Sequence, residues 1–347
     1  MRNQKILITG DKGYIGSVLS EVLISKGYEV TGLDACFFED CLVSHNARNY
    51  LTTKKDIREI NSADVTGFYA IVHLAGLSND PLGEVSPGLT EDINLRSTLK
   101  LAELAKKAGV ERFIYASSQS MYGIAKTDIE LDEDDSEKNP VTAYARTKWE
   151  AEVQLKNLTN DSFNVICFRP STVFGASSRL RCDIVFNSLV ACAFTTGKIE
   201  IKSDGTPWRP VIHVRDVSNA FIAGIQAPLS LVSNRSFNVG IPNGNYTVRD
   251  LAEAAAKSVP GSSLVFTGEH GNDSRSYRVS FNRILTELKD WYKPEWNLDR
   301  GGAELVDFFR TNNFTESDFR GIKTNRLMKL TELQKSGIIN SDLRWIS

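Results

Sequence analysis

The start of the chain carries the pattern that most constrains how it can fold. Residues 5–9, Lys-Ile-Leu-Ile-Thr, have the composition of a short buried strand. The stretch Gly10–Gly16 follows with a glycine at every third position, and an amphipathic helix is predicted from there to about Lys26. A strand that passes through a tight glycine turn into a helix is the opening unit of a parallel sheet covered by helices. The same glycines would also suit an ordinary tight turn.

Strands and helices continue to alternate through the first half of the chain. This alternation predicts an α/β fold, a doubly wound parallel sheet of the Rossmann type with helices on both faces. From about Phe174 the alternation fades, which indicates a smaller C-terminal substrate-binding region. We expect residues 1–170 and 211–241 to form the dinucleotide-binding domain, and residues 171–210 and 242–347 to form the substrate-binding region. The predicted strands are 5–9, 28–33, 69–75, 111–116 and 164–169, and the predicted helices are 14–26, 90–108 and 143–158.

The glycine turn and the end of the second predicted strand together predict a dinucleotide site. Glycines allow backbone amides to approach a pyrophosphate, and the N-terminus of the following helix adds N–H donors and a positive dipole end. Asp34 ends the second strand, where a carboxylate can accept both hydroxyls of an adenosine ribose and would repel a 2′-phosphate. This favours NAD over NADP, unless Asp34 is a solvated loop acid.

Two further segments extend the predicted cofactor site. The third strand ends in His73-Leu74-Ala75-Gly76, whose small residues allow the backbone to pass close to the cofactor. His73 itself is more typical of a packed core histidine than of a catalyst. Asp56 lies beside the adenine or else caps an ordinary helix. The residues that we predict to contact the cofactor in these segments are Gly10, Gly13, Tyr14, Ile15, Gly16, Asp34, Asp56, Ile57, Leu74, Ala75 and Gly76.

A tyrosine and a lysine predict the chemistry. Tyr144 and Lys148 are four residues apart in a predicted helix, so both side chains share one face. A nearby ammonium stabilises a phenolate and lowers the pKa of the tyrosine towards the range that a general base needs. With a dinucleotide site in the same chain, this pair predicts hydride chemistry on an alcohol.

Composition excludes several other classes of function. The 347 residues, 41% of them apolar, can bury a sizeable core, and the net charge of −2 argues against a general nucleic-acid surface. No apolar signal region precedes the first strand and no stretch approaches membrane-spanning length, so we expect a cytoplasmic protein without a membrane partner. The five cysteines and four histidines lack metal-ligand spacing, so we expect reduced thiols and no structural or catalytic metal.

Several ordered motifs make the chain similar to a known family. The pattern resembles the extended short-chain dehydrogenase/reductase family, in its nucleotide-sugar epimerase/dehydratase branch, over residues 5 to about 280. The resemblance implies an NAD cofactor, a nucleotide-diphosphate sugar as substrate and a homodimer. The motifs are Thr9-Gly10-x-x-Gly13-x-x-Gly16, Asp34, His73–Gly76, Asn94, Ser117–Gly123, Tyr144-x-x-x-Lys148, Arg169–Gly175, Arg209–Asp216 and Phe237–Gly240.

The resemblance also assigns roles to individual residues. Tyr144 would take or return the proton of a sugar hydroxyl, and Lys148 would bind the nicotinamide ribose and favour the phenolate. Ser118 would hydrogen-bond the reacting oxygen, or else it is a strand-end serine that satisfies backbone groups. Asn94 resembles the helix asparagine that braces the active-site backbone, and we count it with the cofactor-binding residues.

Other residues are candidates for substrate contacts. Arg209 and Arg275 are candidates for the substrate diphosphate, with Arg278 as an alternative to Arg275, unless these arginines form surface salt bridges. Thr172 occupies a place where many relatives have asparagine, and Ser78 and Asn79 would compensate by facing the sugar. The full set of substrate-binding candidates is Ser78, Asn79, Ser118, Gln119, Ser120, Thr172, Arg209 and Arg275.

Residues 119 and 120 differ from those of two family subgroups, and this limits which reaction the sequence predicts. Gln119 and Ser120 stand where 4,6-dehydratases of the family carry an Asp-Glu pair, so water elimination is disfavoured. Gln119 also replaces the cysteine of 3,5-epimerising relatives. The sequence therefore favours an NAD-dependent epimerase acting at C4, with a nucleotide-sugar 4-dehydrogenase or 4-ketoreductase as the alternative. A non-catalytic NAD-sensing protein would lack Tyr144 or Lys148, and both are present.

Overall fold

A parallel sheet organises the molecule in the computed structural model, which describes residues 4–44, 50–78, 83, 86–268 and 276–346. In chain order the strands are β1 (Lys5–Thr9), β2 (Glu29–Asp34), β3 (Leu51–Lys54), β4 (Ala70–His73), β5 (Arg112–Ala116), β6 (Glu130–Leu131), β7 (Asn164–Pro170), β8 (Thr172–Phe174), β9 (Lys198–Ile201), β10 (Trp208–His213), β11 (Arg235–Val239), β12 (Asn245–Thr247), β13 (Ser263–Phe266) and β14 (Arg278–Val279). Within the described residues, seven strands form an all-parallel sheet in the order β11-β7-β5-β4-β1-β2-β3. The predicted doubly wound α/β fold is confirmed.

Helices cover both faces of this sheet, and smaller sheets extend its carboxyl edge. Strand β10 pairs with β8 and β12, β9 pairs with β13, and β6 pairs with β14. A wide π-helical turn, Asp92–Arg96, joins the second and third helices. The helices are α1 (Tyr14–Ser25), α2 (Pro87–Glu91), α3 (Ser97–Lys107), α4 (Ala143–Lys156), α5 (Val185–Thr196), α6 (Val214–Gln226), α7 (Leu229–Val232), α8 (Val248–Ser258), α9 (Asn282–Glu287), α10 (Leu298–Thr311), α11 (Glu316–Arg320) and α12 (Arg326–Lys335).

The central strands are buried on both faces, which explains their nearly continuous apolar sequence. In β1, Ile6 and Ile8 join the cluster under α1 and α6, whereas Leu7 joins the cluster on the opposite face. His73 is fully buried, with its ring nitrogens 2.6 Å from Thr9 Oγ1 and 2.7 Å from Thr98 Oγ1. The prediction that His73 is a packed core histidine is therefore confirmed.

A third apolar cluster lies in the second half of the chain, where α5, α8 and α10 pack together. The last helix, α12, does not join it. Leu330 and Leu333 pack instead in the cluster of Leu7 and Leu33, on one face of the large sheet. The division of the chain into a dinucleotide-binding domain and a substrate-binding region stays a prediction, and α12 lies on the sheet side of that division.

Three features of the structure concern membrane spanning, metal binding and disulfide bonds. In the described ranges, no helix combines the length and apolar character needed to cross a bilayer. No group of three or more His, Cys, Asp and Glu side chains in the described part of the chain is arranged to hold a metal ion. The five cysteines, all within the described residues, are not paired in disulfides.

Candidate active site

A cavity of about 490 Å³ lies at the carboxyl ends of the parallel strands. In open α/β sheets, this edge is where ligands bind. Most of the predicted site residues meet here although they come from distant parts of the sequence. Those that line the cavity are Gly10, Gly13, Tyr14, Ile15, Gly16, Asp34, Asp56, Ile57, Leu74, Ala75, Gly76, Ser78, Ser118, Ser120, Tyr144, Lys148, Thr172 and Arg209.

The glycine turn is packed so closely that side chains cannot be accommodated. A Cβ on Gly10, whose φ is +80°, would lie 2.7 Å from the amide nitrogen of Ala75, and a Cβ on Gly16 would lie 2.2 Å from the carbonyl oxygen of Gly10. Gly13 caps α1 without a side-chain hydrogen bond, so no capping side chain covers the first-turn amides. We call Gly10, Gly13 and Gly16 the glycine cradle. Its size and its N–H donors fit a pyrophosphate.

Asp34 lies at the end of β2, beside a second carboxyl group. Its Oδ1 accepts from the Cys36 amide at 2.7 Å and its Oδ2 from the Lys12 amide at 3.1 Å. Burial, with the nearby Asp11 carboxylate, raises the pKa of Asp34 to about 6. Asp11 is fully buried against Gly32, where a Cβ would lie 2.1 Å from the Asp11 carboxyl. Asp11 was not among the predicted site residues, although its position inside the glycine turn was a usable signal.

Asp56 caps a short helical turn, which is one of its two predicted roles, and it also lies at the cavity, as the predicted place beside the adenine requires. Its side chain caps a short 3₁₀ turn by accepting from the Arg58 amide, and it also lines the cavity. Arg58 Nη2 donates to Asp56 Oδ2 at 2.6 Å, and Arg344 lies 3.3 Å from the same oxygen. These cations lower the pKa of Asp56, although burial opposes them.

Helix α4 presents the predicted acid/base pair to the cavity. Thr142 caps the helix by accepting from the Ala145 amide at 3.1 Å, which places Tyr144 in the first turn. Lys148 is buried, and its Nζ donates to the carbonyl oxygen of Ala116 at 2.7 Å. Burial lowers the pKa of Lys148 to about 8. The ammonium therefore stays mostly protonated at neutral pH.

Ser118 follows the end of β5 and faces the same cavity. Its Oγ accepts from the Ser120 amide at 3.1 Å and from the Ser120 hydroxyl at 2.9 Å. The Ser118 hydroxyl proton is consequently available to donate to a ligand. Ser118 thus caps the turn Gln119–Tyr122 and lines the site at once.

Two predicted site residues, Gln119 and Asn94, are not among the residues that line the cavity, because their side chains bond to backbone groups. The amide of Gln119 donates to the carbonyl oxygens of Arg169 and Val239 at 3.0 and 3.4 Å, so Gln119 is buried away from the cavity. Asn94 accepts from the Leu77 amide at 2.8 Å and donates to the Leu77 carbonyl at 3.0 Å. Asn94 therefore braces the segment after β4, which is the role that the family resemblance implies, although its own side chain does not line the cavity.

The predicted substrate residues are only partly described. Arg209 lines the cavity and donates to the Trp208 carbonyl at 2.8 Å. Arg278 is outside the cavity lining and pairs with Glu130 at 2.8 Å, and the choice between Arg275 and Arg278 stays a prediction. Asn79 and Arg275 lie outside the described residues.

Several residues that the sequence did not predict as site residues also line the cavity. Arg181 and Asp183 follow β8, and Arg326 and Leu330 come from α12. The alternation of charged and apolar residues just before α5 was a signal for the first pair. Nothing local marked Arg326, because its neighbours in space are distant in sequence.

The family follows from comparison with known proteins. A family model described as the NAD dependent epimerase/dehydratase family matches residues 6–240. The chain belongs to this family. As a member of the NAD dependent epimerase/dehydratase family it is an NAD-dependent enzyme, and the glycine cradle and Asp34 fit the diphosphate and the adenosine ribose of that cofactor.

Individual relatives extend the match beyond the family model. The UDP-glucose 4-epimerase of Mycolicibacterium smegmatis is 30% identical over 321 residues, which cover 89% of this chain and 99% of the relative. The structure of MoeE5 in complex with UDP-glucose and NAD is 25% identical with a TM-score of 0.73, covering 89% of this chain and 99% of that one. The UDP-glucose 4-epimerase of Thermotoga maritima, at 21% identity, shares the fold with a TM-score of 0.75 over 89% of this chain and 100% of its own.

Proposed function

We propose that this NAD-dependent enzyme is a nucleotide-sugar epimerase that inverts the C4 hydroxyl of its substrate. The observation that carries the proposal is the shared cavity, which Tyr144, Lys148 and Ser118 line together with the glycine cradle. A hydride carrier and a general base that face one volume suit the reversible oxidation of an alcohol. Reaction at C4 is supported by relatives that are named UDP-glucose 4-epimerase.

The proposed mechanism divides the work between the cofactor and three side chains. When bound, NAD supplies the hydride acceptor and, on return, the hydride donor. Tyr144 takes the proton of the C4 hydroxyl and returns it when the other face of the ketone is reduced. The Lys148 ammonium would hold the nicotinamide ribose and favour the phenolate of Tyr144, and the Ser118 hydroxyl would donate to the reacting oxygen.

The carboxylates of the site argue against elimination of water. Among the described residues that line the cavity, the carboxylates are Asp34, Asp56 and Asp183. Asp34 accepts from backbone amides, whereas Asp56 and Asp183 pair with Arg58 and Arg181. None of them occupies positions 119 and 120, where a dehydratase of this family carries its acid and base. Redox at one carbon is the reaction that these groups support.

The substrate would occupy the part of the cavity beside the catalytic pair. We assign its diphosphate to Arg209 and, as a prediction, to Arg275. Ser78, Ser120 and Thr172 line the cavity and supply hydroxyl groups for the sugar, and Asn79 stays a predicted sugar contact. The resemblance to extended short-chain dehydrogenases also supports a cytoplasmic homodimer, which light scattering of the purified protein would test.

An isotope experiment tests the epimerase proposal. UDP-glucose with deuterium at C4 is incubated with the enzyme, and the products are identified by mass spectrometry and NMR. Because the hydride returns to the carbon from which it came, the sugar should keep its deuterium while the C4 stereoisomer accumulates. Stoichiometric NADH with a keto sugar would favour a 4-dehydrogenase, and a requirement for added NADH and a keto substrate would favour a 4-ketoreductase.

The Tyr144→Phe variant tests the catalytic assignment. The change removes one oxygen atom, so NAD content and thermal stability should persist while turnover falls by about 10²-fold or more. Lys335→Gln, on the far end of α12, serves as a control that should retain turnover. Full turnover in Tyr144→Phe would exclude Tyr144 as the acid/base. A wild-type protein that binds NAD but converts no nucleotide sugar would favour the NAD-sensing alternative.

A further inference from the structure

A cluster of charged residues lies at the cavity wall, where Arg181, Asp183 and Arg326 line the cavity, and none of its members belongs to the sequence-predicted site. We define the arginine cluster as Arg179, Arg181, Asp183 and Arg326. Arg181 Nε donates to Asp183 Oδ1 at 2.8 Å and its Nη2 donates to Asp183 Oδ2 at 2.9 Å. The backbone amide of Arg326 also donates to the Asp183 carboxylate. Asp183 therefore joins the loop after β8 to the first turn of α12.

The arginine cluster contains more positive charge than the protein neutralises. Asp183 balances Arg181, but within the described residues neither Arg179 nor Arg326 forms an ion pair. Arg326 is only 2% exposed. Its Nη2 donates to the Arg179 carbonyl at 2.9 Å, and its Nη1 has no hydrogen-bond partner in the described part of the chain. A guanidinium buried in this way is unfavourable unless an anion approaches it.

The groups around Arg326 do not neutralise its positive charge. Its guanidinium lies 4.6 Å from the ring centroid of Phe38, which follows Asp34 by a few residues. Burial, together with the neighbouring Arg181, lowers the pKa of Arg326 to about 10. The Phe38 ring offers only a weak interaction to a cation. An anionic ligand in the cavity would supply the partner that the described residues do not.

The position of the cluster indicates which ligand this is. Ser177 Oγ lies 2.9 Å from Ser17 Oγ in α1 and accepts from the Arg179 amide at 3.2 Å, so the loop that carries the cluster lies beside the first turn of α1. Arg181 Nη1 donates to Ser78 Oγ at 2.8 Å. At the other end, Arg179 donates to the carbonyl oxygen of Phe38 in the loop after Asp34. The arginine cluster thus spans the distance from the glycine cradle to the adenosine-ribose carboxylate. A bound dinucleotide has its diphosphate along this path.

We propose that Arg326, held beside Arg181 by Asp183, binds the diphosphate of the NAD cofactor from the side that the glycine cradle leaves open. Arg181 and Arg326 line the same cavity as Gly13 and Ile15. A dinucleotide diphosphate carries one negative charge on each phosphate, and Arg326 offers it a guanidinium at the cavity wall that has no carboxylate partner among the described residues. Helix α12 is then part of the cofactor site, and the inference does not depend on which sugar reaction the site performs.

Contacts on both sides of Arg326 hold it in position. The Cys182 amide donates to the Thr324 carbonyl at 3.0 Å, and the Asn325 side chain caps α12 by accepting from the Met328 amide at 3.0 Å. One turn further, Lys329 Nζ lies 2.7 Å from Asp40 Oδ2. A preorganised guanidinium loses little conformational entropy when it binds, so its contribution to affinity should be measurable.

The test compares Arg326→Met with Arg320→Met, an exposed arginine of α11 that pairs with Glu316. Calorimetry on protein stripped of cofactor measures the affinity for NAD, ADP-ribose, adenosine and UDP. Arg326→Met should weaken NAD and ADP-ribose at least about tenfold, while adenosine and UDP binding stay unchanged. Arg320→Met should bind all four ligands like the wild type. Unchanged NAD affinity in Arg326→Met would overturn the proposal, and weaker UDP binding instead would assign Arg326 to the nucleotide sugar.

Thermal unfolding separates a binding role from a structural one. Because Arg326 is an uncompensated buried charge without ligand, the stripped Arg326→Met protein should unfold no earlier than the wild type. The upward shift of the midpoint that NAD produces should be smaller in the variant. An early midpoint without cofactor and a normal shift with it would contradict the proposal. Arg326→Lys keeps the charge but not the bidentate geometry of a guanidinium, so its loss of NAD affinity should be intermediate. If Arg326→Met does not fold, the NAD affinity of Arg326→Lys tests the proposal instead.

Discussion

At the scale of single residues, Asp34 has an environment that makes cofactor binding depend on pH. Its carboxyl group is placed to accept the hydroxyls of the adenosine ribose, and only the ionised form accepts two hydrogen bonds from them. Burial and the neighbouring Asp11 raise its pKa to about 6. The ionised form is therefore complete above this pH and is lost as the pH falls through it.

We accordingly predict that NAD affinity is constant from pH 7 to 8 and declines by up to about tenfold per unit below pH 6. Burial raises the pKa of Asp11, and the charge of Asp11 in turn helps to raise the pKa of Asp34. Asp34→Asn should weaken NAD at neutral pH by roughly 1.5–3 kcal/mol and should flatten the decline at acidic pH. Calorimetry at several pH values measures both. A wild-type affinity that does not vary between pH 5 and 8 would contradict the assigned role of Asp34.

At the scale of elements, the βα unit at the N-terminus depends on the absence of side chains. A Cβ on Gly16 would lie 2.2 Å from the Gly10 carbonyl oxygen, so either β1 or α1 would have to shift. Gly88, in α2, has nothing within 4 Å of its Cβ position and provides a matched control. Comparing alanine substitutions at Gly16 and Gly88 thus separates the steric effect of a methyl group from its effect on helix propensity.

We predict that Gly16→Ala destabilises the protein by about 1–3 kcal/mol through overpacking and reduces the NAD that copurifies. Gly88→Ala should be neutral, or stabilising by up to about 1 kcal/mol, since alanine favours a helix more than glycine does. Urea unfolding and the dinucleotide content of the purified proteins are the measurements. Equal behaviour of the two variants would mean that the glycine cradle tolerates a methyl group.

At the scale of the whole molecule, the C-terminal segment fastens onto the adenosine end of the site. Trp345 stacks on Phe37 with ring centroids 5.6 Å apart, and its Nε1 donates to the Ala35 carbonyl at 2.7 Å. Lys54 Nζ lies 4.0 Å from the centroid of the same indole ring. Arg344 pairs with Glu59 at 2.6 Å. These contacts join the end of the chain to β2 and β3, which the sequence places near its start.

Loss of the indole should therefore loosen the adenosine end of the site. We predict that Trp345→Ala lowers the free energy of unfolding by about 1–3 kcal/mol and accelerates the release of NAD. Ile346→Ala, at the adjacent and more exposed position, should change neither quantity by much. Stopped-flow displacement of NAD and urea unfolding provide the measurements. If both variants release NAD at the wild-type rate, the C-terminal segment has no part in cofactor retention.

The sequence by itself determined the features that depend only on residues close together in the chain. The glycine cradle needs backbone that lacks Cβ atoms, and the pairing of Tyr144 with Lys148 needs only the pitch of a helix. The buried strands β1, β4 and β5 were predictable from apolar runs within a few residues of their ends. Strand β3 was missed because it is a short, mostly exposed edge strand with no apolar pattern. These features identified the fold, the cofactor and the candidate catalytic pair.

Tertiary structure alone decided where several polar side chains point. Gln119 turns towards the carbonyl groups of Arg169 and Val239, which β7 and β11 bring together from distant parts of the chain. The bracing role of Asn94 was predicted from the family resemblance alone, and its contact with Leu77 is made from a π-helical turn that no local residue pattern predicts. Arg326 meets Arg179 across 147 residues of sequence. Each of these contacts depends on the packing of whole elements against one another, and the sequence by itself holds no local signal of that packing.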